Sequence, residues 1–178
     1  MTGWLSIALL GAMAVRPPAV PVGKSRAAVT AKPQAAGNFT LTVSPATISF
    51  SATNPGTAPV VAGSSPATAS WSVLSVGSTW NLQVQATSPT FANCSTVPVS
   101  AVTVTCSSVS VTGIGGSGTC SGAFPLSTGM QTVASGSEGL LSMDYSVTIS
   151  FTLADNWKYI AEMSPACTLS LNYLATAQ

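Results

Sequence analysis

Few residues in this chain could do chemistry, and their types narrow the reactions open to it. No histidine occurs, so a Ser–His–Asp arrangement is impossible and the commonest general base and metal ligand is missing. A Ser–Lys dyad within residues 38–178 has only Lys158 to draw on, and no SxxK motif is present. Glycoside hydrolysis needs two carboxyl groups at a set separation. The acids on offer are Glu138, Asp144, Asp155 and Glu162, scattered near turn signals. Asp155 with Asn156 lacks the spaced acidic loop of a calcium site. The run Gly113-Ile114-Gly115-Gly116-Ser117-Gly118 lacks the lysine and the strand–helix setting of a phosphate loop, and reads as a flexible loop. The expectation is a non-catalytic chain with no cofactor and no metal.

The cysteines point to covalent staples. Cys94, Cys106, Cys120 and Cys167 are an even set with no CxxC pair, which favours two disulfides over zinc. Four cysteines allow three pairings, and spacing alone does not choose among them. The pairing favoured here is Cys94–Cys106 with Cys120–Cys167.

Disulfides need an oxidising compartment, and the N-terminus supplies a route to one. Trp4 to Val15 is an apolar run, short for a membrane span and suited to a signal-peptide core. Ala12-Met13-Ala14 places small residues at a cleavage site, so 1–14 reads as a signal peptide. A second candidate cut follows Ala36. Residues 15–37 hold Pro17, Pro18, Pro21 and Pro33 and read as a basic linker or a removed segment. Residues 38–178 are then one domain, placed outside the cell or at its surface.

Charge supports this division. Residues 1–37 carry Arg16, Lys24, Arg26 and Lys32 and no acid; the remainder carries Lys158 against four acids. The net +1 is thus +4 and −3. A domain with one cation cannot neutralise a run of phosphates, so nucleic acid is excluded as a partner. The same count excludes a membrane surface once the signal is removed.

Period-two alternation organises residues 38–178. Trp80, Leu82, Val84 and Ala86 alternate with polar residues, as do Tyr145, Val147, Ile149, Phe151 and Leu153, and Leu169, Leu171 and Tyr173. Each set defines a strand with one buried face. Weaker alternation covers Phe39-Leu41-Val43, Ile48-Phe50-Ala52 and Ala69-Trp71-Val73, and segments 97–105 and 108–114 are rich in Val and Thr. Pro, Gly and Ser clusters separate the runs. A short helical turn fits Asn156 to Met163. The expected fold is all-β: an antiparallel β-sandwich, immunoglobulin-like or jelly-roll-like, with two disulfides.

Trp80-Asn81-Leu82, followed by Val84, Ala86 and Phe91, resembles the first Trp-x-Leu motif of WxL cell-surface domains. Tyr145 to Leu153 resembles the second motif, with Phe151 where the family has Trp, and Ser44 to Phe50 resembles the first strand of such domains. The resemblance implies non-catalytic attachment to cell-wall glycan.

Two functions follow as expectations. The first is a subunit of an extracellular filament, pilus-like, or of a surface assembly. Copies of this chain, or other surface proteins, would be its partners, joined by strand addition through residues 38–50. Phe39, Leu41 and Val43 would fill a neighbour's groove. The second is a wall- or carbohydrate-binding module that stacks Trp157 and Tyr159 on sugar rings. Residues 38–178 hold 25 Ser and 20 Thr, a surface that stays wet without charge repulsion. Asn38, in Asn38-Phe39-Thr40, is the better of two glycosylation sequons.

Overall fold

The computed structural model describes residues 21–29, 40–51, 54–74, 79–159 and 167–177. Its strands are β1 (Pro21–Val29), β2 (Thr42–Ser44), β3 (Thr47–Ser51), β4 (Val60–Ala62), β5 (Ala67–Leu74), β6 (Thr79–Ala86), β7 (Thr90–Phe91), β8 (Cys94–Pro98), β9 (Val102–Ile114), β10 (Ser117–Cys120), β11 (Phe124–Pro125), β12 (Gln131–Ser137), β13 (Leu140–Ala154) and β14 (Thr168–Ala177). One sheet runs β10-β12-β6-β14-β1-β3. The second runs β11-β9-β13-β5-β2, with β4 also on β13, and β7 and β8 form a small hairpin. The fold is the expected all-β arrangement of sheets, antiparallel at every described pairing except β1 with β14.

The alternating segments deliver their apolar faces to the space between the sheets. Trp80, Leu82, Val84 and Ala86 on β6 are buried, as are Leu169, Leu171, Tyr173, Ala175 and Ala177 on β14. From the second sheet come Met143, Tyr145, Val147, Ile149, Phe151 and Leu153 on β13, and Ala67, Ala69 and Trp71 on β5. Burying each large side chain is worth roughly 1.5–3 kcal/mol. A one-residue slip would turn any of these sets to water, so register is specified by the pattern itself.

Trp80, 1% exposed, stands where the two sheets meet. Its ring meets Trp71 edge-on at 5.3 Å and Tyr145 at 5.2 Å, and Trp71 stacks on Tyr145 at 5.3 Å. Its indole N–H donates to the Ser117 carbonyl at 2.9 Å. Gly136 makes room for this contact, because a Cβ there would lie 2.0 Å from the Ser117 carbonyl oxygen and 2.7 Å from Trp80 Nε1.

Three features differ from the expectations. First, segments 97–105 and 108–114 divide differently: Val97 and Pro98 end β8, Val99–Ala101 form a 3-10 turn, and β9 runs unbroken over 13 residues from Val102, its alternation interrupted by a register shift opposite Thr148/Ile149 of β13. Second, the Gly113–Gly118 run is a tight turn from β9 to β10, with Gly115 at φ +83, a value that L side chains rarely adopt. Third, Pro21–Val29 lies inside the stretch read as a linker or removed segment, yet it forms β1 between β14 and β3. Its backbone pairs with two strands that would otherwise each present an open edge there. The signal segment 1–14, Asn38, Phe39 and residues 160–163 of the proposed helical turn lie outside the described residues. Within that turn, Tyr159 N–H donates to the Asn156 carbonyl at 2.9 Å.

The disulfides are Cys94–Cys167 and Cys106–Cys120, which corrects the favoured pairing. Fold topology decides this. Ala92 bridges to Thr168, which sets Cys94 and Cys167 side by side with Cα atoms 5.3 Å apart. Cys106 on β9 and Cys120 at the end of β10 belong to different sheets, and the short Gly115–Gly116 link between the two strands brings their Cα atoms to 5.4 Å, so this bridge ties one sheet to the other. Their sequence separations are 73 and 14. Replacing both cysteines of the first pair by Ala should lower unfolding stability by about 4 kcal/mol, and of the second by about 3 kcal/mol, if restriction of the unfolded chain dominates. Denaturant titration of the two double variants checks the order.

Candidate functional site

The polar halves of the alternating strands form the outer face of the second sheet. Registers align Thr42, Ser70, Ser146 and Ser110 across β2, β5, β13 and β9, and Ser72, Asp144 and Thr112 in the next row. Neighbouring strands lie about 4.8 Å apart, so these side chains form a closely spaced hydroxyl plate. Ser72 Oγ donates to Asp144 Oδ1 at 2.5 Å. A groove of about 370 Å³ lies here, lined by Thr40, Thr42, Ser70, Ser72, Ser110, Thr112, Asp144 and Ser146, with Trp71 and Tyr145. It offers many neutral donors and acceptors and one carboxylate.

The acids do not gather into a reactive pair among the described residues. Asp155 lies eleven residues beyond Asp144, just past the end of β13, about 35 Å away along an extended strand. Its Oδ1 accepts the Asn156 N–H at 2.8 Å. Glu138 is buried, and neither carboxylate oxygen meets a donor. Glu162 lies outside the described residues. No cluster of three or more His, Cys, Asp or Glu suited to a metal occurs among the described residues. No helix among them is long and apolar enough to cross a membrane.

Exposed apolar side chains collect at the two ends of β13. At its start, Leu140 pairs with Ile114 of β9; Ile114 and Leu141 are each 66% exposed, and Leu140 is 54%. Leu141 sits at φ +72, a costly backbone state for a bulky residue. At the far end, Val60 opposes Ala154 and is 59% exposed, and Trp157 is 68% exposed. Sequence reasoning singled out Trp157 but missed the other four. Leu140 and Leu141 lie beside Gly139 at the head of β13, ahead of the Tyr145–Leu153 alternation that marked the strand, which was the available signal.

The other expected site residues divide. Tyr159 is half-buried against the core, so of the two rings expected to stack on sugar only Trp157 stands clear. Leu41 and Val43 are buried in the chain's own core, with β2 on the edge of the second sheet. All four cysteines are disulfide-bonded. Comparison with family models, curated proteins and solved structures returned no match.

Two buried tyrosines face the core. Burial pushes the Tyr173 phenol well above its ordinary value. Burial also raises Tyr145, and the Glu138 carboxylate adds to it. The fold thus favours the neutral phenol of Tyr173. Its contribution is complete below the unfolded value of about 10 and is lost as pH rises beyond it. The unfolding midpoint in denaturant should therefore fall steeply above pH about 10, and less steeply in Tyr173→Phe.

Proposed function

We propose that this chain is a non-catalytic structural subunit of an extracellular filament or cell-surface assembly, with copies of itself as its main partner. The observation that carries the reading is the pair of apolar ends on one long strand. Ile114, Leu140 and Leu141 lie at one end of β13, and Val60 and Trp157 at the other. Unlike patches at opposite ends generate head-to-tail contacts, which grow into open chains. The broad hydroxyl face carries one charge, Asp144, so subunits can lie side by side with little repulsion. Two disulfides fit an oxidising exterior. Strand addition by the N-terminal part of the domain is the proposed joint. Exchange through residues 38–50 would draw Leu41 and Val43 from a core where they are 5% and 8% exposed.

A second reading, attachment to cell-wall glycan, rests on the exposed Trp157, the hydroxyl groove and the WxL resemblance. Aspartates at both Leu140 and Leu141 should cut the pelletable assembled fraction about tenfold, since a charge at an apolar contact costs more than 1.4 kcal/mol. Wall binding should be unchanged by that variant. If Trp157→Ala abolishes binding to purified wall while assembly persists at wild-type level, the second reading replaces the first.

A further inference from the structure

We infer that the slot between β14 and β3 is an intermolecular acceptor, and that Pro21–Val29 of a second copy of this chain fills it. The inference rests on the assembly reading above and names its joint.

Strand polarity is the first observation. β1 runs parallel to β14 across six pairs, from Lys24 opposite Thr168 to Val29 opposite Tyr173. All other pairings among the described strands are antiparallel. β1 therefore does not extend the hairpins that build the rest of the sheet. It enters a gap that they leave.

The gap is also built without β1. β14 is held on its other side by seven pairs to β6, and Cys94–Cys167 clamps the residue just before it. β3 reaches this sheet through β1 alone, but Ile48 and Phe50 remain anchored in the core. Withdrawing β1 leaves two preorganised, parted strand edges whose N–H and C=O groups need partners.

The inserted strand is separable. Residues 30–41 join it to β2, a reach of about 40 Å when extended. Main-chain bonds to β14 and β3 are the same whether β1 comes from its own chain or another. What selects the intermolecular form is concentration against the effective molarity of the tethered strand, on the order of millimolar for a short linker. Crowding at a cell surface moves the balance that way. Each copy then donates one strand and accepts one, so growth is open-ended whenever donor and acceptor are different neighbours rather than a reciprocal pair.

Arg26 lies opposite Ser170 and Ala28 opposite Asn172 in the parallel register. Full-length chains carrying Arg26→Cys are mixed with full-length chains carrying Ser170→Cys, with distinct tags, and oxidised. The assembled fraction should contain disulfide-linked heterodimers as its main species. The pair Ala28→Cys and Asn172→Cys repeats the test should either first variant misfold. Assemblies that form without heterodimers, while a single chain bearing both cysteines links within itself, overturn the inference and leave the assembly reading standing. Absence of any assembled species from unmodified chains overturns both.

Discussion

The structure depends on contact between the two sheets, and that contact is centred on Trp71, Trp80 and Tyr145. Two come from the second sheet and one from the first, with ring centroids 5.2–5.3 Å apart. Aromatic pairs of this kind add about 0.5–1.5 kcal/mol each beyond the area they bury. With charged residues at 5% of the chain, ion pairs have little to contribute. Cohesion comes from dry inner faces, main-chain bonds and two disulfides. Trp80 also fastens the β10 end of its sheet through the Ser117 carbonyl, so losing that ring would loosen packing and an edge together.

This economy has consequences for the surface. Alternation sends Ser and Thr outward wherever it sends apolar side chains inward, so a well-filled core makes a hydroxyl-covered exterior. The apolar side chains that escape the pattern are at strand ends, where pleating no longer controls their direction. Edges remain the other open feature. β1 covers the slot between β14 and β3, while β10, β3, β11 and β2 end their sheets as strands of two to five residues, a form that limits indiscriminate pairing. On the assembly reading proposed above, selective joining would concentrate at the slot and at the two ends of β13.

The features legible from sequence were those set by local periodicity. Tyr145 to Leu153, Trp80 to Ala86 and Leu169 to Tyr173 announced their inward faces because each strand pairs and packs without interruption. Features set by distant partners were hidden. Nothing local to Pro21–Val29 reveals that β14 and β3 leave a gap, so its prolines and basic residues outweighed its capacity to pair. Cys94 and Cys167 meet because Ala92, just past β7, bridges to Thr168 of β14, a fact about topology. β9 read as two strands because its register shift falls where Cys106 breaks alternation. On the site, the exposed ring of Trp157 was readable as an aromatic beside a lysine in a turn. Tyr159, two residues beyond Trp157, leans on the core instead.

The account stands on this polypeptide acting as a unit that joins others of its kind. Sedimentation velocity of the purified full-length chain across a wide concentration range tests that most directly. Open-ended joining predicts a distribution of masses that broadens and shifts upward with concentration and never reaches a fixed stoichiometry. A single species of monomer mass at every concentration would contradict it.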